Sequence, residues 1–175
     1  AKEFSDLPVR HKEAGVLNRM AGHLPVKIES PKFNEPSAKV NVLLQSHFSR
    51  TELKPDLRLD QQEILKQILK LLYGMVDVIT TFGGLRPALC AMELAQMIVQ
   101  GMWVSDSPLK QLPFFTTNVI DRCLNEGVTS IAAITELEDD QRDSLLQMTP
   151  KQMVKVAEAC NRYPDLDIEF QIASE

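Results

Sequence analysis

Residues 63–82, EILKQILKLLYGMVDVITTF, decide the fold of this chain. Apolar side chains recur in this segment at intervals of three and four, as they do on one face of an α-helix: Ile64, Leu65, Ile68, Leu71, Leu72, Met75, Val76 and Ile79. With its flanks the pattern runs from about Leu57 to Phe82, which predicts a helix about 40 Å long. Gly83 and Gly84 follow directly, and glycine is common just past a helix. The segment therefore predicts the longest helix of a mainly helical protein.

Shorter helical segments lie on both sides of this one. A first helix is predicted over about Arg10–Gly22, and the proline-rich link LPVKIESPKFNEPS separates it from a second that starts near Pro36, a residue suited to a first helical turn. Downstream, Pro87 fits the first turn of a helix that runs to about Trp103. After SDSPLKQLPFF the pattern predicts four short helices, at about Asn118–Glu126, Ser130–Leu137, Asp139–Leu146 and Pro150–Tyr163.

The last residues have a different pattern. In LDIEFQI, residues Leu166–Ile172, apolar and polar side chains alternate as in a half-buried β-strand. One strand cannot form a sheet, so we expect its partner strands to lie beyond residue 175.

Composition and charge limit the possible functions. The 175 residues are 44% hydrophobic and 25% charged, as in an ordinary globular protein, and no apolar run of eighteen residues predicts a membrane span. The net charge of −5 is uneven, because residues 1–60 carry ten basic against eight acidic side chains and residues 61–175 carry nine against sixteen. Phosphate neutralisation supplies most nucleic-acid affinity, so we expect this chain alone to bind RNA weakly.

The sequence contains none of the common catalytic motifs. It lacks a phosphate-binding G-x-x-x-x-G-K-[ST] loop, a G-x-G-x-x-G turn and an H-E-x-x-H zinc motif. Its histidines and cysteines lie far apart in separate segments: His11, His23, His47, Cys90, Cys123 and Cys160. The cysteines are interpreted as reduced thiols, and the acidic residues of 136–143 as a solvated helix start. We therefore expect neither a catalytic site nor a metal site.

A row of polar residues interrupts the apolar helix AMELAQMIVQGMW at residues 91–103. Glu93, Gln96 and Gln100 lie within about 60° of one another around the helix axis, with Trp103 on the same side. Amides can hydrogen-bond phosphate, ribose or bases, and an indole can stack on a base. The row has no basic residue, however, and it includes a carboxylate. Three interpretations stay open: packing within the bundle, contact with a protein partner or another domain, and direct contact with RNA.

Four segments together resemble a known family. NEPSAKVNVLLQSHFSR, AMELAQMIVQGMW, LKQLPFF and NRYPDLDIEF are similar, in order and spacing, to the Sec-sixty-three homology unit that follows the helicase core in Ski-two-like RNA helicases. The resemblance covers essentially the whole chain. It is strongest to the second, C-terminal unit of the spliceosomal members, and LEDDQRDSLLQMT favours these over the activating-signal cointegrator members.

The resemblance implies an architecture of three parts. It predicts a helical bundle over residues 1–112, a helix-loop-helix domain over 113–165, and from 166 the first strand of an immunoglobulin-like or fibronectin-like sandwich that is almost entirely missing. The helix Arg86–Trp103 resembles the family's central ratchet helix, which lies beneath the nucleic-acid channel. That position makes Glu93, Gln96, Gln100 and Trp103 the candidate contacts to RNA or to a partner.

The resemblance also implies a function. The chain is expected to be a non-catalytic accessory module of a nuclear, ATP-dependent RNA helicase of pre-mRNA splicing, with ATP and Mg²⁺ bound elsewhere in the parent protein. Its expected partners are the preceding helicase domains and other splicing factors, and no membrane. The alternatives are a module that contacts RNA and aids strand separation directly, and the equivalent unit of the cointegrator helicase.

Overall fold

The computed structural model describes residues 4–29, 32–164, 166, 169 and 171, and this part of the chain is mainly helical with no residue in a strand. It divides into two compact units, Ala1–Ser105 and Asp106–Glu175. The predicted three-part division at residues 112 and 165 remains a prediction. None of the helices described combines the length and apolar character that a membrane span requires.

Among its described residues the first unit contains four α-helices. They are α1 Glu13–Ala21, α2 Pro36–Phe48, α3 Pro55–Thr81 and α4 Leu85–Gln100. Two apolar clusters hold them together. One lies between α1, α2 and the first half of α3 and includes Phe4, Leu17, Leu43 and Ile64. The other lies between α2, α3 and α4, where Phe48, Leu72, Ala95 and Ile98 are buried.

The predicted helices of the first unit are confirmed, and the largest differences from the predicted bounds are at the start of α1 and the end of α4. α1 begins at Glu13 instead of Arg10 because Lys12 adopts a left-handed conformation with φ of 67°. α4 ends at Gln100 instead of Trp103 because Gly101 turns the chain at φ of 58°. The Gly101 and Met102 amides then both donate to the Met97 carbonyl, which satisfies the helix end.

The part of the second unit that the structure describes contains a short 3-10 helix, Pro108–Gln111, and four α-helices. They are α5 Thr117–Asn125, α6 Ile131–Glu136, α7 Asp139–Leu146 and α8 Pro150–Asn161. α5 packs against α7 and α6 against α8, around a core that includes Leu109, Cys123 and Ile134. All four predicted short helices are confirmed, α7 with the predicted bounds.

Side chains specify where these short helices begin. The Ser130 hydroxyl accepts a hydrogen bond from the Ala133 amide at the start of α6. Thr149 and Gln152 form a reciprocal capping box at the start of α8, and Pro150 occupies its first turn. The predicted strand Leu166–Ile172 lies mostly outside the described residues, and Leu166, Glu169 and Gln171 are in neither helix nor strand. The strand and the sandwich therefore remain predictions.

Candidate functional site on helices α3 and α4

The polar row on α4 separates into an accessible part and a packed part. Glu93, Gln96 and Gln100 are exposed. Within the described residues, these three side chains form no hydrogen bond or ion pair. Trp103 is half-buried: its ring meets Phe48 edge to face at 5.1 Å, and its Nε1 donates to the Ser49 Oγ at 3.0 Å. The carboxylate and both amides are thus available to another molecule, whereas the indole is held by α2 and the residue after it.

The end of α2 fixes the end of α4. The His47 Nε2 lies 2.8 Å from the Ile98 carbonyl oxygen and forms a hydrogen bond with it. The Arg50 guanidinium donates from Nε to the Gly101 carbonyl at 2.9 Å and from Nη2 to the Gln100 carbonyl at 3.4 Å. Basic groups at a helix C-terminus satisfy its free carbonyls and favour its dipole. The position of Gln100 is therefore set by contacts that its own helix does not provide.

A shallow groove of about 290 Å³ runs between α3 and α4 beside the polar row. Tyr73 and Val76 of α3 form one wall, and Gln96 and Gln100 belong to the other, with Met92, Ala95 and Val99. Lys70 and Lys66 lie one and two turns before Tyr73 on α3, and both are exposed. Lys66 pairs with Glu63 at 2.5 Å, whereas no ion pair of Lys70 occurs in the described part of the chain. Positive charge, absent from the row on α4, thus lies on the neighbouring helix.

The end of α3 and the start of α4, which adjoin each other, expose a large amount of apolar surface. Phe82 is 85% exposed and Leu85 is 73% exposed, where the two helices are joined by Gly83 and Gly84. Further exposed apolar side chains lie on the same two helices: Met75, Val78, Leu89, Met92 and Val99. A second groove of about 810 Å³ follows α3 past Gly74. Surfaces of this kind are typical of protein contact sites.

A buried network of four charges lies at the other end of the bundle, and the sequence pattern did not predict it. The Lys39 side chain is 0% exposed. Its Nζ contacts the Glu13 Oε2 at 2.7 Å, the Asp60 Oδ2 at 2.7 Å and the Pro8 carbonyl oxygen at 2.6 Å. The Arg10 guanidinium pairs with both carboxylates, through Nη2 at 2.9 Å from the Asp60 Oδ1 and Nη1 at 3.0 Å from the Glu13 Oε1. One signal was present, because Lys39 lies three and four residues before the apolar Val42 and Leu43.

The network keeps its carboxylates ionised. Burial alone raises the pKa of Glu13, but hydrogen bonds from Lys39 and Arg10 outweigh it and hold the pKa below its ordinary value. For Asp60 burial again opposes ionisation, and hydrogen bonds from Arg10 and Lys39 again lower the pKa. The hydrogen bond to Asp60 is the main reason that the pKa of Arg10 is raised. Two positive and two negative charges therefore balance in this cluster, whose role is structural.

The second unit uses arginines to satisfy helix ends. Arg122 of α5 donates from Nε to the Leu145 carbonyl and from Nη2 to the Leu146 carbonyl, both at 2.9 Å. Arg142 of α7 donates to the Ile134, Thr135 and Leu137 carbonyls at the end of α6. A polar groove of about 640 Å³ lies between α5 and α7, but the Arg122 in its wall is engaged in this way.

The described residues offer no metal site and no activated nucleophile. No group of three or more His, Cys, Asp or Glu side chains in this part of the chain could hold a metal ion. Cys123 is buried and Cys160 half-buried, and burial raises the pKa of both thiols. His47, a candidate by residue type, is engaged with the Ile98 carbonyl. Within the described residues, the side chains of α3 and α4 at the candidate site provide no arrangement for covalent or acid–base catalysis.

Comparison with known proteins identifies the family. The family model described as the Sec63 Brl domain matches residues 1–175. The chain therefore belongs to the Sec63 Brl domain family, as its resemblance to the Sec-sixty-three homology unit of the spliceosomal helicases predicted.

Its relatives are much longer proteins, and some of them are named as helicases. The chain is 46% identical over 175 residues to the "U5 small nuclear ribonucleoprotein 200 kDa helicase" of Homo sapiens and 42% identical over 172 residues to "Pre-mRNA-splicing factor brr2" of Schizosaccharomyces pombe. It is 44% identical over 175 residues to "Activating signal cointegrator 1 complex subunit 3-like" of Dictyostelium discoideum. These matches cover 98–100% of this chain but only 8% of the length of each relative.

Proposed function

We propose that this chain is a non-catalytic accessory module of a nuclear, ATP-dependent RNA helicase that acts in pre-mRNA splicing. In this role it serves as a scaffold and protein-interaction platform, while ATP and Mg²⁺ are bound by other domains of the parent. Relatives named as a U5 small nuclear ribonucleoprotein helicase and as a pre-mRNA-splicing factor support the setting, because each contains a segment that matches 98–100% of this chain. The observation that carries the scaffold role is the exposed apolar surface at the joined ends of α3 and α4.

This surface fits a folded protein partner. Phe82 and Leu85 are the two most exposed of its apolar side chains, and neither is covered by another residue that the structure describes. Burying large apolar side chains stabilises a contact by about 1.5–3 kcal/mol each, so leaving them in water is unfavourable for an isolated domain. In the parent helicase the preceding helicase domains are the partner that we assign to this surface, with other splicing factors as further partners.

The docking role is tested in the intact parent helicase. The double variant Phe82→Ser/Leu85→Ser removes the apolar contact at the helix ends, and Leu59→Ser, an exposed leucine near the start of α3, is the matched control. We expect the double variant to make the module more accessible to limited proteolysis and to lower unwinding activity, with the control close to wild type. Wild-type protease resistance and activity in the double variant would exclude docking through this surface.

A second candidate function is direct RNA contact, which the groove between α3 and α4 favours. Gln96 and Gln100 offer exposed amides and Tyr73 offers an exposed ring for stacking. Lys70, one turn before Tyr73 in the wall of the second groove, is an exposed positive charge on α3. Glu93 opposes this function, because a carboxylate repels phosphate. With so few cations the expected affinity is low and strongly dependent on salt.

Binding of labelled single-stranded RNA to the 175-residue chain separates the two functions. Salt-dependent binding that weakens in Gln96→Ala, Gln100→Ala and Lys70→Met, but not in Lys27→Met outside the groove, favours RNA contact. No binding at low salt, together with a stable complex with a helicase domain or splicing factor, favours the scaffold. Trp103→Ala is a poor probe of RNA contact, because that indole packs on Phe48 and Ser49.

A further inference from the structure

The segment before α1 lies against the bundle through contacts of three kinds. We refer to residues 4–12 as the strap. At its beginning Phe4 is buried in the cluster that contains Leu17, Val40 and Leu43. In its middle the Pro8 carbonyl accepts a hydrogen bond from the Lys39 Nζ at 2.6 Å. Near its end Arg10 forms two bonds to the Asp60 carboxylate, which belongs to α3 and is 50 residues away in the sequence.

Arg10 differs from the other members of the charge network. Its side chain is 40% exposed, whereas those of Glu13, Lys39 and Asp60 are at least nine-tenths buried. The three buried groups join α1, α2 and α3 to one another without it. Arg10 is therefore the member of the network whose own side chain belongs to the strap and is partly exposed, and its loss leaves the contacts between the helices in place.

The junction between the strap and α1 is strained. Lys12 has φ of 67°, a conformation that residues with a Cβ rarely adopt, and its side chain caps nothing at the start of α1. The strain persists because the contacts on both sides hold the backbone there. On the α1 side the Glu13 Oε2 accepts a hydrogen bond from the Arg10 amide at 2.9 Å, which closes the turn. Opening of the strap relaxes this residue, so Lys12 is placed as the hinge.

We propose that Arg10 latches residues 4–12 onto α3 through Asp60, and that this strap opens about Lys12 as a unit separate from the unfolding of the helices. Both partners of the latch are ionised at neutral pH, so the strap is closed at that pH. Residues 4–12 are then held in one position against the bundle. The inference concerns contacts within this chain and is independent of the proposed function.

Native-state hydrogen exchange of the 175-residue chain at neutral pH tests the latch. Arg10→Met keeps the length of the side chain and removes its charge, and Arg19→Met, an exposed arginine of α1, is the matched control. We expect the Leu7 and Glu13 amides, which donate to Phe4 and Arg10 carbonyls, to exchange at least tenfold faster in Arg10→Met. Amides in the middle of α4 are expected to stay within twofold of wild type, and the control to leave both sets unchanged.

Two results overturn the proposal. Unchanged exchange of the Leu7 and Glu13 amides in Arg10→Met means that Arg10 does not hold the strap. Equal acceleration in α4 means that the network is part of the global core and that no separate unit exists. Lys12→Gly tests the hinge from the opposite side, since glycine tolerates the positive φ. We expect strap exchange to slow severalfold in this variant, and unchanged or faster exchange excludes the hinge.

Discussion

The two units of this chain differ in how their helices pack and in how the backbone groups at the helix ends are hydrogen-bonded. In its described part the first unit has three helices of 13 to 27 residues besides the shorter α1, with two apolar clusters and a largely buried charge network, and it exposes large apolar side chains where α3 and α4 join. The second unit has helices of twelve residues or fewer, and side-chain caps and arginines satisfy several of their ends. Short helices leave a larger share of their backbone groups unpaired, so end contacts matter more there. The first unit is stabilised mainly by packing between its helices, and in the second unit side chains satisfy several of the backbone groups at the helix ends.

The largest effect is expected from the buried lysine of the first unit. Lys39→Met leaves Glu13 and Asp60 buried with Arg10 as their remaining partner, which we expect to lower the free energy of unfolding by about 3–5 kcal/mol. The measurement is urea unfolding followed by the fluorescence of Trp103, the only tryptophan and a residue of this unit. Lys66→Met removes an exposed ion pair instead and should change stability by less than about 1 kcal/mol. If both variants lowered the free energy of unfolding equally, the buried network would contribute no more to stability than an exposed ion pair does.

Acid is expected to distinguish the two units next. The pKa values of Glu13 and Asp60 in the folded state lie below their ordinary values of 4.5 and 3.8. Their contribution to stability is therefore fully present above those values and is lost as pH falls through the folded pKa values. Hydrogen exchange against pH should show the first unit losing protection on acidification. Asp60→Asn should flatten that dependence, and an unaltered pH profile in this variant argues against the assignment.

In the second unit the removal of an arginine should act through the backbone. Arg122→Met leaves the Leu145 and Leu146 carbonyls without their donors, which is expected to cost about 1–3 kcal/mol. Faster amide exchange in α7 is the measurement. Arg162→Met, which loses a single exposed hydrogen bond to the Glu158 carbonyl, is the control and should leave α7 near wild type. Similar amide exchange of α7 in the two variants would show that the Arg122 hydrogen bonds do not stabilise the second unit in the way expected.

The smallest effects come from two glycines of the first unit, with opposite signs. Gly101 has φ of 58°, and a Cβ there would lie 3.3 Å from the His47 Cε1, so Gly101→Ala should lower stability by about 1–2 kcal/mol. Gly74 lies in the interior of α3 with nothing within 4 Å of a Cβ, so Gly74→Ala should raise stability by roughly 0.5–1 kcal/mol. Thermal unfolding of both variants measures the difference. Destabilisation by Gly74→Ala would indicate a contact that the isolated chain does not show.

Periodicity and local end signals determined most of the helices. The bounds of α7 and the start of α2 were predicted to the residue, because proline, acidic residues and capping threonine act within one turn of where they stand. The two ends of the first unit that differed most, the start of α1 and the end of α4, depend on single left-handed residues, Lys12 and Gly101. The apolar pattern with a period of 3.6 residues continues through such a residue in the sequence, although the helical backbone ends there.

The candidate site divides in the same way. The sequence by itself determined that Glu93, Gln96, Gln100 and Trp103 share one side of α4, since that follows from helix geometry. Only the tertiary structure decided that the first three are exposed and that Trp103 packs on Phe48, because exposure depends on which helix lies alongside. The same is true of Lys39, whose three partners come from residues 21 to 31 positions away in the sequence. The local sequence pattern determines on which side of its helix a side chain lies. Only the packing of segments that are distant in the sequence determines which residues it contacts.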